Sequence, residues 1–340
     1  MKYAVKISIG QPSDPTQWNA LATLNGNLIQ HTSTAVLDRF FKNESAYLEI
    51  LSGTTLVGAY RFNYFESKRL PAFFRSISRS ATFWGEAIYL PSEDRLLIAQ
   101  LINTAIDDYL RDNKIVKLKY TNYYGAGISP ELFHTAAAKE FCMAIIDLEQ
   151  SEEQLWDRVH SKHRNSIRKA EKSGVTIAVS EDIDAFIDLM RVTYEGQEGK
   201  SAPNYDYIKA QYSLYAPQEN AILYIAYHEG VAYNGAMVTL LGDTAYYAFA
   251  GTVKNPWAAG NLTQWFILKD LKAKGLKKYS LGQVALEGAS NFGDVKFISG
   301  ITTFKMRFGP DLEKGISTNI ILRPFANKIW NLLVKMLMRG

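Results

Sequence analysis

Apolar residues recur along this chain in two alternating rhythms, and the rhythm changes in the same order twice. Residues 47–59 read YLEILSGTTLVGA and residues 224–236 read YIAYHEGVAYNGA. Each predicts a strand, a turn at Ser-Gly or Glu-Gly, and a second strand. The stretches align without gaps, matching Tyr47 with Tyr224, Gly53 with Gly230, Gly58 with Gly235 and Ala59 with Ala236. More strand-like residues follow each hairpin, then a long amphipathic helix, then a strand. The helices are expected over 93–111 and 262–274, and the closing strands over 115–120 and 277–281. Repeated strand–hairpin–helix–strand units argue for a duplicated α/β fold. The boundary is expected near residue 150, where strand-like MAIIDL runs into polar EQSEEQ, giving domains 1–150 and 151–340.

Residues 156–174, WDRVHSKHRNSIRKAEKSG, carry the densest chemistry. Leu155, Val159, Ile167 and Ala170 mark the apolar face of one predicted helix. Ser151 and Gln154 have capping-box spacing, and Gly174 sits at the expected stop. Beside that face run Arg164, Arg168 and Lys172, four apart. Like charges so spaced cost a helix about 0.2–0.5 kcal/mol per pair. They form either a solvated basic face or a site for an anion, phosphate above all, whose oxygens match the guanidinium fork.

A length of 340 residues favours two domains, and 47% hydrophobic with 21% charged residues is ordinary for a soluble globular protein. The net charge of +4 suits a small anionic molecule or a membrane surface as well as nucleic acid. The single Cys142 lies in apolar FCMAII, which makes it a packing residue and fits a reducing cytoplasm. The start, MKYAVKISIG, has no signal-peptide pattern, and no run approaches the ~20 apolar residues of a membrane span. The expected location is the cytoplasm.

Other candidates carry weaker signals. Gly260 allows close backbone approach at the start of the 262–274 helix, and Asn261 or Thr263 can cap it, which leaves N–H groups for an anion. There is neither a P-loop nor a dinucleotide fingerprint. In FKMRFG, strand geometry sets Phe304, Met306 and Phe308 on one side and Lys305 and Arg307 on the other, toward a cleft or toward water. His160 and His163 have no third partner at metal-ligand spacing, so no metal is expected. The 195–204 loop, rich in turn formers, is the expected place for substrate choice. The final helix, 325–339, sets Phe325, Ile329, Leu332, Leu333 and Met336 on one face and Lys328, Lys335 and Arg339 on the other. That pattern suits a peripheral contact at the inner membrane face or docking on the preceding domain.

Three of these motifs, in order, resemble the FemABX family of non-ribosomal peptidyltransferases and related acyltransferases. The basic-helix pattern is matched by Lys162, Arg164, Ile167, Arg168, Lys169, Ala170 and Gly174. AAGNLTQWFILKDLKAKGLKKYSLG is similar to the family's Trp-containing helix and the strand after it. Phe304, Lys305, Phe308 and Gly309 match its Phe-Lys-x-x-Phe-Gly element. Ser280 departs from the pattern, standing where an Asp is usual.

The resemblance implies an α/β (α+β) architecture of two tandem GNAT-like domains, each a mixed twisted sheet flanked by helices. It implies transfer of an acyl or aminoacyl group to an amine on a cell-envelope, peptidoglycan or polysaccharide precursor, by direct attack. No tightly bound cofactor is expected; the cosubstrate is acyl-CoA or aminoacyl-tRNA, and the partners are a nucleotide-sugar or lipid-linked precursor and, for one donor, tRNA. Arg164 and Arg168, assisted by Lys162, would hold phosphate. Lys305 would stabilise charge at the reacting carbonyl or hold the donor's end, and Tyr247 would protonate the departing group. A non-catalytic GNAT-like protein that binds such a precursor at the membrane is the alternative, which Ser280 favours and Lys305 opposes.

Overall fold

The structure is a computed structural model and describes residues 3–25, 27–122, 139–195, 201–284 and 295–337. Contacts divide the chain into two units, one of Met1–Phe141 with Lys314–Gly340 and the other of Cys142–Glu313. The expected second domain ran to residue 340, whereas the last segment is built into the first unit. The reason is strand pairing, given below.

In the first unit the sheet order is β1 (Ala4–Ile9), β2 (Glu44–Ser52), β3 (Thr55–Phe65), β4 (Ser80–Trp84), β6 (Lys117–Asn122) and β13 (Asp311–Ile321), with β5 (Ile88–Tyr89) on β3. β13 pairs antiparallel with β6, from Ile316 opposite Asn122 to Ile321 opposite Lys117. Helix α1 (Pro15–Leu24) covers one face and α2 (Arg95–Asp112) the other. β2 therefore reads as a nearly continuous apolar run, because both faces are buried. Ala46, Leu48 and Ile50 pack toward Ile98, Ile102 and Ile106 of α2, and Tyr47 packs toward Trp18 of α1.

In the second unit the order is β7 (Lys139–Asp147), β12 (Lys278–Val284), β11 (Thr244–Thr252), β10 (Val231–Leu241), β9 (Ala221–His228) and β8 (Thr176–Ser180). Helix α5 (Ile183–Glu195) lies on β10 and β11, and α7 (Ala259–Ala273) packs with β9, β10 and helix α4 (Ser161–Lys172). Gly235 and Gly251 are opposed across the β10–β11 pair beneath α5. A Cβ on Gly251 would lie 2.5 Å from the backbone nitrogen of Met190, and one on Gly235 would lie 2.7 Å from Phe186. The helix sits this close to the sheet because neither strand carries a side chain there.

Both units place a helix between two parallel strands, α2 between β4 and β6 and α7 between β11 and β12. The two hairpins form at the turns expected, with Gly53 and Gly230 at φ of +62° and +78°. Their gapless alignment does not survive, however. Tyr47 faces away from the crossover helix of its unit, whereas Tyr224 faces toward it and donates to Asp270 of α7 at 2.6 Å. Matched residues point to opposite sheet faces, as a one-residue slip produces. The duplication lies in the order of elements.

The helix expected over 156–174 is two helices, α3 (Glu152–Arg158) and α4. Val159 is extended between them (φ −67°, ψ 125°), which buries it, and His160 starts α4 by accepting the Lys162 N–H at 3.1 Å. The Ser151–Gln154 capping box is present at the head of α3, and Gly174 follows α4 at φ +77°.

Candidate active site

Strands β11 and β12 pair at only three positions, Thr244 with Lys278, Ala245 with Tyr279 and Tyr246 with Ser280. Both strands continue beyond, but the ladder between them stops. At this point Gly282 adopts φ +84°, the register of β12 against β7 shifts, and the buried Ser280 hydroxyl accepts the Gly282 N–H at 3.2 Å. Among the described residues the ladder thus opens at the carboxyl ends of two adjacent parallel strands, the place where open α/β sheets take ligands. β4 and β6 are paired over the whole of β4 and leave no such gap.

Tyr247 is the first residue of β11 past the ladder. Its ring is half-buried and its hydroxyl end is enclosed, bonded to the side chain of Gln264 on α7; burial raises its pKa to about 12. Gln264 also accepts from the Tyr279 hydroxyl at 2.9 Å. A glutamine in line with Leu268 and Leu271 on a buried helix face was the available sequence signal for this linker, and it was missed.

From the β12 side, Lys305 donates to the carbonyl oxygen of Gln283 at 2.9 Å, and its Nζ lies 3.3 Å from where a Cβ on Gly282 would be. Burial lowers its pKa to about 8. Lys305 is not on a strand as expected: it stands in the last turn of helix α8 (Val295–Met306). Phe304 and Phe308 are four apart as well as alternate, so their spacing fits a helix equally, and Gly309 at φ +70° marks the stop. Their rings close on His163, at 5.3 and 4.8 Å, while His163 Nε2 bonds the Phe304 carbonyl at 3.0 Å. Desolvation lowers the pKa of His163. These contacts make His163 a packing residue.

α7 opens the third side. Its cap is Ala258 in the left-handed region (φ 59°, ψ 41°), with no side-chain bond, and Asn255 Oδ1 accepts the Ala259 N–H at 3.1 Å. Asn261 and Thr263, expected as caps, lie inside the helix. Thr263 donates to the Ala259 carbonyl at 3.0 Å, and Asn261 Nδ2 is buried with no partner among the described residues. Gly260 has Asn234 Nδ2 3.4 Å from its Cβ position, an ordinary contact. The corresponding helix α2 begins differently: the Asp94 carboxylate accepts from Leu96 and Leu97 N–H groups at 2.9 and 3.3 Å. An anion is already built into α2, whereas no side chain fills that role on α7.

The basic residues of α4 face α3. Arg164 Nη1 donates to the carbonyls of Trp156 (3.3 Å) and Asp157 (3.1 Å), and the Arg168 guanidinium lies 5.4 Å from the Trp156 ring centre. Trp156 in turn packs on Trp265 of α7 at 4.8 Å. Lys162 is exposed. Tyr247 thus stands on β11 where the ladder ends, Lys305 reaches the β12 bend from α8, and Gly260 and Asn261 lie at the start of α7, while the arginines reach α7 through Trp156. Of the 195–204 loop, residues 196–200 lie outside the described residues; Asn204 caps helix α6 (Tyr205–Tyr215) through the Tyr207 N–H at 3.1 Å.

This arrangement of parallel strands, crossover helix and opening spans residues that match a known family model, the acetyltransferase (GNAT) domain, over 157–292. The fold of the chain as a whole is similar to the crystal structure of FemX (TM-score 0.72, 13% identity, 95% of this chain and 99% of that one). It is also similar to L-PGS from Bacillus licheniformis (0.55, 12%, 98% and 99%). A tandem GNAT protein from the clavulanic acid biosynthesis pathway matches at 0.50 and 14% identity, over 93% and 98%. At such identities the likeness is one of fold: an α/β chain with tandem GNAT proteins among its structural neighbours. No curated sequence matches significantly. Among the described residues no helix is long and apolar enough to cross a membrane.

Proposed function

We propose that the protein transfers an acyl or aminoacyl group from acyl-CoA or aminoacyl-tRNA to an amine on a cell-envelope or polysaccharide precursor, at the β11–β12 opening. The observations that support this reading are the end of the β11–β12 ladder beside Tyr247, the Lys305 amine against the β12 bend, and the start of α7, where Asn255 takes one N–H and, among the described residues, no carboxylate caps the helix. The N–H groups around Gly260 and Asn261 suit a donor phosphate. Lys162, Arg164 and Arg168 are available to a second one, the arginines after leaving or sharing their contacts with α3.

In this scheme the acceptor nitrogen attacks the donor carbonyl carbon, forming a C–N bond, and the C–S or C–O bond to the donor breaks. Lys305, charged below pH of about 8, offsets the negative charge that develops on the carbonyl oxygen. Tyr247 keeps its proton at neutral pH and can deliver it to the departing sulfur or oxygen, and the proton that the acceptor nitrogen sheds on forming the amide restores the tyrosine hydroxyl. Ser280 supports a second reading, a non-catalytic binder of a nucleotide-sugar or lipid-linked precursor: its hydroxyl is buried in the β12 bend, where the family pattern has a carboxylate.

Thermal-shift measurements with acetyl-CoA, CoA, charged tRNA and UDP-N-acetylmuramoyl-pentapeptide separate these readings. A ligand at 100 times its Kd adds about 2.7 kcal/mol of stability. A shift with CoA compounds or charged tRNA supports acyl transfer and selects the donor. A shift with the sugar nucleotide alone supports the binder, and no shift with any donor overturns the transferase reading.

A further inference from the structure

Helix α9 (Pro324–Leu337) lies in the first unit against the 3₁₀ helix Ala72–Ser78. Along 324–336 no residue of α9 is buried. Phe325, Leu332 and Met336 are 78%, 58% and 62% exposed, and their spacing of seven and four puts them on one stripe, with half-buried Ile329 between them. The 3₁₀ helix adds Phe73, 77% exposed, and Phe74, their rings 4.4 Å apart. A helix that docks to complete a core turns such residues inward; here five large apolar side chains on two touching elements point out.

The charges around them have one sign. From 315 to 337 the sequence holds Arg323, Lys328 and Lys335 and no Asp or Glu; from 67 to 85 it holds Lys68, Arg69, Arg75 and Arg79, again with no acid. Arg75 and Arg79 are used internally, on the Leu70 carbonyl and Glu66, and Lys68 pairs with Glu44. Arg69, Arg323, Lys328 and Lys335 are exposed. Lys328 and Lys335 follow one edge of the apolar stripe, the position from which long cationic side chains reach headgroups while the stripe enters the acyl boundary.

We propose that this face docks the protein on an anionic membrane surface, with α9 lying in the interface and Phe73 and Phe74 inserted beside it. Phe73, Phe74 and Phe325 can stack on bases, but they share the face with aliphatic Leu332 and Met336, which an acyl boundary accommodates and a base does not use. A second copy would bring Lys328 and Lys335 against their own equivalents across a two-fold axis. The proposal concerns a face of the first unit and does not depend on the transferase reading.

The test is co-sedimentation of the full chain, without donor or acceptor, with vesicles of phosphatidylcholine alone or mixed with phosphatidylglycerol. The expected partition coefficient is about tenfold or more higher on the anionic vesicles and falls with added salt. Phe325→Glu with Leu332→Glu abolishes binding at an unchanged melting temperature, since both side chains are already in water. Lys328→Gln with Lys335→Gln removes the preference for anionic vesicles. The proposal is overturned by binding to neither vesicle or by binding that the glutamate pair leaves intact. A dimer in light scattering that the glutamate pair dissociates, or saltable RNA binding without vesicle binding, overturns it as well.

Discussion

The Lys305 side chain donates to the main-chain carbonyl of Gln283, 2.9 Å away, in the space that the missing side chain of Gly282 leaves open. An ammonium so enclosed is less stable than in water, and its pKa falls from 10.5 to about 8. Between those values the unfolded chain still holds the proton that the folded chain has released. Stability therefore rises with pH across that window, by about 3 kcal/mol at most, and the burial cost is present in full below it. Lys305→Met flattens the rise. Urea unfolding of both proteins from pH 8 to 10.5 checks this; parallel pH profiles would show that the amine is solvated.

Arg164 closes the end of α3 through the Trp156 and Asp157 carbonyls. Arg164→Ala is expected to cost about 1 kcal/mol in chemical denaturation, since a cation at a helix C-terminus and its hydrogen bonds are lost. Arg168→Ala, which loses only the contact of an exposed guanidinium with the half-buried Trp156 ring, costs about half as much. Equal stability of both variants with weakened donor binding would mean that the arginines serve the ligand alone.

Two glycines of the second unit separate a packing role from a ligand role. Gly251→Ala forces a Cβ to within 2.5 Å of the Met190 main chain, and overpacking of this kind costs about 1–3 kcal/mol. Gly260→Ala meets only the Asn234 amide at 3.4 Å and removes a glycine from a helix, so its melting temperature holds or rises. On the proposed function, Gly260→Ala nevertheless loses the donor-induced thermal shift. Retention of that shift would move the donor away from the α7 start.

Tyr247→Phe deletes one hydroxyl and leaves the ring in place. If the tyrosine protonates the departing group, kcat falls by about 10²-fold or more while KM changes little. Steady-state kinetics decides: an increase confined to KM would assign Tyr247 to binding.

The order of elements was legible because apolar periodicity survives wherever one face is buried; helices α2 and α7 lie within a few residues of their expected bounds. Three readings failed for physical reasons. Val159 carries the right spacing for a continuous helix, but burying its side chain between α3 and α4 requires an extended backbone there. The alternation around Lys305 is also a four-residue repeat, and only the left-handed Gly309 separates the two. The hairpin repeat matched in letters while its side chains point to opposite faces. At the candidate site, Tyr247, Lys305 and Gly260 were legible as residue types. Gln264 and Asn255 were not singled out, because their importance comes from what they bond: Tyr247 and Tyr279 for one, the first N–H of α7 for the other.

The return of residues 314–321 to the edge of β6 has a consequence for biosynthesis. A ribosome emits β1 to β6 first and then the entire second unit before it supplies the strand that pairs with Lys117–Asn122. Throughout that interval β6 presents a bare row of amides and carbonyls, the kind of edge that recruits foreign strands. The first unit, though its chain emerges first, can be completed only after the whole second unit has been made.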